Sequence, residues 1–135
     1  MNINTIILID KNQQRKENFM KKLKQKIKIS YTKLEALFQT VRETFNDEGY
    51  EFKTGQYLEF LDNFLNNLSR RQEFYLIDVD ELSVQNANML AEKHKNIMVI
   101  YLQKEQNDGK TIKIDGNNDE EVNELIKEIE KRLKI

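Results

Sequence analysis

The fold is set by a short apolar stretch, Ile3-Asn4-Thr5-Ile6-Ile7-Leu8-Ile9-Asp10. Its β-branched run lacks the polar alternation of a half-exposed strand, so we expect a central strand buried on both faces. Phe74 to Val79 and Ile97 to Leu102 repeat the pattern, and Thr111 to Ile114 is expected as a short last strand. Amphipathic stretches separate them. This alternation predicts a three-layer α/β domain, a mainly parallel sheet with helices on both faces.

The helical stretches are recognised by apolar residues that recur at steps of three and four. Glu48-Gly49 interrupts one of them, and Tyr50-Glu51-Phe52 is expected as a short strand. Asn118 or Asp119 is expected to cap the last helix. The predicted helices cover Lys11 to Lys28, Thr32 to Thr44, Gln56 to Leu68, Val84 to Lys95 and Glu120 to Leu133.

The length and composition exclude several classes of site. A chain of 135 residues suits a single domain over 1–135. Cysteine is absent and His94 is the only histidine, which excludes thiolate and multi-histidine metal sites. We expect His94, between two lysines, to be exposed. We expect no metal and no cofactor, and the lack of a long apolar run or signal peptide favours a cytoplasmic protein without a membrane span.

Basic residues are concentrated in one segment although the net charge is only -1. From Lys11 to Lys33 there are nine Lys or Arg residues and one acid, Glu17, which gives the segment a charge of +8 and leaves -9 elsewhere. Such a block attracts anions such as phosphates or an acidic protein surface. Lys16 is a candidate anion contact, although a helix lysine is usually solvated.

Ligands of parallel α/β sheets bind at the carboxyl ends of the strands, where Asp10, Asp78 and Asp80 are expected. A phosphate-binding loop after the first strand needs two glycines, a lysine and a hydroxyl residue. Of these, Asp10 to Glu17 retains only Lys16, with Asp10 and Arg15 at the glycine positions. The sequence therefore predicts that no working phosphate loop exists.

Several segments resemble guanylate kinases. Val84-Gln85-Asn86-Ala87 is similar to the family's Val-Gln-Gly-Ala stretch, and Leu76-Ile77-Asp78-Val79-Asp80 is similar to its Leu-Asp-Ile-Asp segment. Tyr50-Glu51-Phe52 resembles the end of the GMP-binding region, and Thr111 to Leu133 resembles the final strand and helix. The resemblance implies the P-loop-kinase-like topology of this family, with the lid reduced to Gln103 to Lys110.

The sequence departs from this family at the parts that handle nucleotides. Arg42 fits only the second arginine of the guanylate-binding pair, and Phe45 stands where an acid is expected. The resemblance thus implies a degenerate domain with no catalytic residues and with weak or absent nucleotide binding. Inactive members of the family hold phosphorylated or acidic peptides, which implies such a protein partner here. Nucleic acid is an alternative partner, and an active nucleoside monophosphate kinase is a remote alternative function. The candidate binding residues are Arg15, Lys16, Arg42, Tyr50, Asp78 and Asp80.

The same sheet edge also resembles, more weakly, a response-regulator receiver. In that family an acidic pair follows the first strand, and an aspartate ending a middle strand accepts a phosphoryl group. Asp10 supplies only one acid of the pair, Asp78 stands at the acceptor position, and no hydroxyl follows Leu102. The alternative function is therefore a receiver-like signalling domain, although the missing ligands predict that Asp78 is not phosphorylated.

Overall fold

The computed structural model describes residues 3–47, 55–103 and 111–133. In these ranges the strands are β1 (Thr5–Ile9), β2 (Ser30–Lys33), β3 (Tyr75–Val79), β4 (Ile97–Tyr101) and β5 (Ile112–Lys113). The helices are α1 (Gln13–Lys24), α2 (Leu34–Asp47), α3 (Gly55–Leu68), α4 (Val84–Lys93) and α5 (Asp119–Leu133).

The strands form one parallel sheet in the order β2-β3-β1-β4-β5. β1 lies at its centre, where Thr5 pairs with Tyr75 of β3 on one side and with Ile97 of β4 on the other. The predicted parallel α/β architecture is therefore confirmed. The strand order differs from the 2-1-3-4-5 order of flavodoxin-like folds such as the receiver, in which the first strand lies between the second and third.

The sheet is covered on both faces, which makes three layers. Ile6 and Leu8 of β1 point into a core cluster built with α1 and α5, and Ile7 and Ile9 point into a second cluster built with α2, α3 and α4. All five residues of β1 are buried. The apolar run without alternation arises because neighbouring side chains enter two different cores.

Most predicted elements are observed within a few residues of their expected bounds. The exception is β2, since its Ser30-Tyr31-Thr32-Lys33 segment was not predicted as a strand and the following helix begins at Leu34 rather than Thr32. The strand predicted at Tyr50 to Phe52 and residues 104–110 of the reduced lid lie outside the described residues. The cap of α5 is Asn118, whose Oδ1 accepts hydrogen bonds from the amides of Glu120 and Glu121.

Candidate functional site

The segment that connects β1 to α1 contains no glycine, and its backbone is held by hydrogen bonds to its own side chains. The amide of Asp10 donates to the Val79 carbonyl, and the Asp10 Oδ1 accepts from the Asn12 amide at 3.0 Å. Asn12 caps α1 by accepting from the Arg15 amide at 3.0 Å. The Lys16 amide donates to the Asn12 carbonyl. The amides of Asp10, Asn12, Arg15 and Lys16 therefore all donate to acceptors within the chain.

Arg15 forms a bidentate ion pair with Asp10. Its Nε lies 2.7 Å from Oδ2 and its NH2 nitrogen lies 2.9 Å from Oδ1. The Asp10 side chain is fully buried, and that of Arg15 is 18% exposed. Burial favours the neutral acid, but the hydrogen bonds from Arg15 and the Asn12 amide outweigh it and hold the pKa of Asp10 below 3.8. Arg15 is thus committed to a carboxylate of its own chain.

Lys16 is the only basic side chain of α1 that points into the interior. It is fully buried, and its Nζ lies 2.5 Å from Asp78 Oδ1 and 2.6 Å from Asp80 Oδ1. Burial lowers the pKa of Lys16, but the two carboxylates outweigh that effect and raise it above 10.5. The expectation that this lysine is solvated is therefore wrong, because its amine reaches the carboxyl end of β3.

The two aspartates have further partners that the sequence did not indicate. The Tyr31 hydroxyl donates to Asp78 Oδ2 at 2.5 Å. Burial of the phenol is the main cause of a raised pKa at Tyr31, and this hydrogen bond is the second cause. The Asp80 amide donates to Glu35 Oε1 at 2.9 Å. Tyr31 and Glu35 lie at the β2–α2 junction, so they were missed together with β2. The network therefore joins the carboxyl end of β3 to α1, to β2 and to the start of α2.

A depression of about 330 Å³ opens beside this network at the carboxyl ends of β1 and β4. Its charged lining residues are Asp10, Lys11, Asp80 and Glu81. Lys11 lies 3.4 Å from Glu81, and both side chains are largely exposed. The three cations of the β1–α1 connection, Lys11, Arg15 and Lys16, therefore each have a carboxylate partner.

The structure brings four of the six predicted site residues together. Arg15, Lys16, Asp78 and Asp80 lie at the carboxyl edge of the sheet, where Lys16 binds Asp78 and Asp80 and Arg15 binds Asp10, so both cations are neutralised within the chain. Arg42 belongs to α2, and its side chain is not among those described. The prediction for Tyr50 lies outside the described residues.

Eight of the nine residues of the basic block divide into a paired part and an exposed part, and the ninth, Lys33, is half-buried at the end of β2. The first three cations of the block belong to the sheet edge described above, and Lys22 lies 2.5 Å from Asp119 of α5. Lys21, Lys24, Lys26 and Lys28 are exposed on the second half of α1 and the connection to β2. The block's exposed positive charge is therefore displaced from the sheet edge toward α5 and β2.

His94 is buried, contrary to the expectation that it is exposed. Only 4% of its surface is accessible, and its Nε2 lies 2.7 Å from Asp62 Oδ1. Lys93 Nζ lies 2.6 Å from the other oxygen of Asp62, and this bond is the main cause of that carboxyl's lowered pKa. His94 joins α4 to α3 and lies outside the network at the carboxyl edge.

Comparison with known proteins gave no match, either to models of protein families or to curated proteins. Across the described ranges, no helix combines the length and apolar character needed to cross a membrane. The same part of the chain contains no group of three or more His, Asp or Glu side chains arranged to hold a metal ion. The geometry of the site and the surface charge are therefore the basis for a functional proposal.

Proposed function

We propose that the chain is a non-catalytic, guanylate kinase-like domain that binds an acidic or phosphorylated region of a protein partner. One observation carries the non-catalytic part, the pairing of buried Lys16 with Asp78 and Asp80. Lysine is the residue that a nucleotide kinase of this class uses to reach terminal phosphates. Here two carboxylates occupy the place that phosphate oxygens would take around its amine.

Charge at the sheet edge also disfavours a nucleotide. Lys11, Arg15 and Lys16 contribute +3, and their partners Asp10, Asp78, Asp80 and Glu81 contribute -4. A phosphate that enters this edge must displace a carboxylate from a cation and then remain close to that carboxylate. Phosphoryl transfer relies on positioning and on stabilisation of negative charge, so this arrangement opposes the reaction.

The exposed part of the basic block supports an acidic partner. Lys21, Lys24, Lys26 and Lys28 are solvent-exposed neighbours in sequence, so they create a local positive potential on a chain whose remainder is acidic. A surface of this kind accelerates association with an oppositely charged partner, and its effect is screened over about 8 Å at physiological salt. Electrostatic complementarity also selects partners by repelling basic ones.

A receiver-like function is less well supported. Asp78 is fully buried, and both of its oxygens already have partners, Lys16 and Tyr31. A phosphodonor has to reach the acceptor oxygen, and magnesium needs several oxygen ligands in near-octahedral geometry. The strand order also differs from that of the receiver fold.

Nucleotide titration tests the non-catalytic part directly. Isothermal titration of the protein with ATP, MgCl₂ and GMP, separately and together, should give only heats of dilution, and a coupled kinase assay should match buffer. The matched variant is Asp80→Asn, which removes one carboxylate from Lys16 while leaving the fold's apolar core intact. Turnover by the wild type above that of buffer would overturn the proposal.

Partner capture tests the binding part. The protein should be crosslinked in its source cell and the recovered partner purified, and its dissociation constant should rise steeply between 50 and 300 mM salt. Charge reversal at Lys21 and Lys24 should slow association, whereas reversal at Lys95 and Lys131, which are exposed elsewhere, should change it little. A purified partner whose affinity is insensitive to salt and to both variants would contradict an acidic interface.

A further inference from the structure

Helices α1 and α5 cover the same face of the sheet and leave a groove between them. It consists of two adjoining depressions of about 440 and 630 Å³, and Lys22 and Gln25 line both. Core side chains that are almost fully buried close their floor, Phe19 and Val122 in the first and Ile126 in the second, so the stems of the lysines around them supply most of the apolar surface open to an occupant. The groove is separate from the ion-paired network at the carboxyl edge of the sheet.

The walls of this groove carry an excess of positive charge. Lys22 is paired with Asp119, which cancels one charge of each sign. The lysines that remain, Lys21, Lys26 and Lys127, are exposed and enter none of the ion pairs between described residues, whereas Glu130 is the remaining acid. Three cations against one anion, together with the apolar stems of the lining lysines, favour an occupant that has both carboxylates and apolar side chains.

The groove has the dimensions of a short extended peptide. Its α5 wall runs from Asp119 to Glu130, and at about 1.5 Å per helical residue this corresponds to roughly 16 Å. An extended chain advances about 3.3 Å per residue, so about five residues fit along it. Alternate side chains of such a segment point to opposite sides, which lets apolar residues face the floor while acidic residues meet the lysines.

We propose that the α1–α5 groove binds an extended acidic segment of about five residues that also carries apolar side chains. This inference rests on the proposed function and names the site and the form of the partner. It places the recognition surface on the α1–α5 face and not at the carboxyl edge where nucleotides bind in related folds.

A nucleic acid fits this groove less well than a peptide. α5 carries six acids and three basic residues from Asp119 to Leu133, so acidic side chains border the positive strip. A duplex is wide enough to meet those acids, and its uniform negative charge would be repelled by them. The groove lining also lacks an exposed aromatic side chain for stacking on bases.

Fluorescence anisotropy with a defined peptide tests the inference. The probe is a fluorescein-labelled peptide of sequence ELELEL, whose leucines share one side of an extended chain and whose glutamates share the other, and QLQLQL with the same label is the neutral control. Lys26→Glu/Lys127→Glu should raise the dissociation constant for ELELEL at least tenfold. The matched control is Lys95→Glu/Lys131→Glu, which changes net charge equally but alters exposed lysines outside the groove lining, and it should raise the constant less than threefold. Circular dichroism confirms that both variants remain folded.

Each other outcome overturns the groove assignment. Equal weakening by both double variants would mean that the basic surface acts only through its overall field, so the acidic partner would stand and the groove would not. Equal binding of ELELEL and QLQLQL, or binding of neither at 1 mM, would refute acidic recognition by the groove, whether or not the crosslinked partner binds. A 12-nucleotide RNA that binds more tightly than ELELEL and loses affinity in Lys26→Glu/Lys127→Glu would make nucleic acid the occupant.

Discussion

Lys16→Met removes a buried charge while keeping a side chain of similar length and apolar stem. The change leaves Asp78, which is fully buried, without its cation, although the Tyr31 hydroxyl still donates to it. Asp80 is 43% exposed, so water compensates most of its loss. Removing one partner of a buried ion pair typically costs about 3–5 kcal/mol. Because native domains have a free energy of unfolding of about 5–15 kcal/mol, this single variant is expected to lose a large fraction of its stability.

Urea denaturation followed by circular dichroism measures this cost. With a slope of about 2 kcal/mol per M, a loss of about 4 kcal/mol lowers the midpoint by about 2 M. Lys24→Met, on the exposed side of the same helix, is the matched control and should change stability by less than about 0.5 kcal/mol. Lys16→Met/Asp78→Asn should recover about half of the loss, because it removes the unpaired charge and keeps an acceptor for Tyr31.

The dependence on pH follows from the raised pKa of Lys16. A group whose pKa is higher in the folded state stabilises the protein fully below its ordinary value, here 10.5, and loses that stabilisation as pH rises through the folded value. The pKa of Tyr31 is also raised, so it acts with the same sign. Both pH 7 and pH 9 lie below these pKa values, so Lys16 and Tyr31 keep their protons at both. The loss of unfolding free energy in Lys16→Met should therefore be the same at pH 7 and at pH 9. A midpoint shift below 0.5 M at pH 7 would refute the reasoning that Lys16 neutralises a buried carboxylate.

Three further predictions concern the same region. Arg15→Gln should cost about 2–3 kcal/mol at pH 7 in urea denaturation. That cost should shrink as pH falls below 3.8, because the lowered pKa of Asp10 contributes stability only where the carboxyl is ionised; an equal cost at pH 3 would contradict this. Gly116→Ala should cost about 1–3 kcal/mol, since its Cβ would lie 3.0 Å from Leu102 Cβ and 3.1 Å from Leu102 O, and an unchanged thermal midpoint would refute that crowding. Incubation with acetyl phosphate or beryllofluoride should give no mass increase at Asp78; an adduct absent from Asp78→Asn would restore the receiver alternative.

The strands that could be predicted are those formed by runs of consecutive apolar residues. Ile6 to Ile9 and Leu76 to Val79 are unbroken apolar runs apart from Asp78, so their burial as strands was apparent from the sequence, whereas their order in the sheet was not. β2 has no such signal because it is an edge strand, and its Ser30 and Tyr31 are exposed. Its position depends on pairing with β3, a long-range contact that local patterns do not encode.

The sequence predicted where the candidate site lies, but not which of its charged side chains form ion pairs with each other. The ends of β1 and β3 placed Asp10, Asp78 and Asp80 at one edge. The burial of Lys16 could have been predicted from its position, since it lies three residues before Phe19 and seven before Leu23 and so shares their buried stripe. His94 had no comparable signal, because its burial depends on Asp62, which lies 32 positions away along the chain.

The central place of β1 has a consequence for synthesis of the chain. Thr5 pairs with Tyr75 and Ile97, so the partner strands emerge from the ribosome about 70 and 92 residues after it. At about 5–20 residues per second, the apolar segment Thr5–Ile9 remains without its first partner for about 4–14 s. Unpaired β-branched segments of this length are prone to aggregate, and charged residues beside them oppose it. Asp10, Lys11 and the basic helix that follows place charges directly beside this segment, the position at which charged residues oppose aggregation of an unpaired strand.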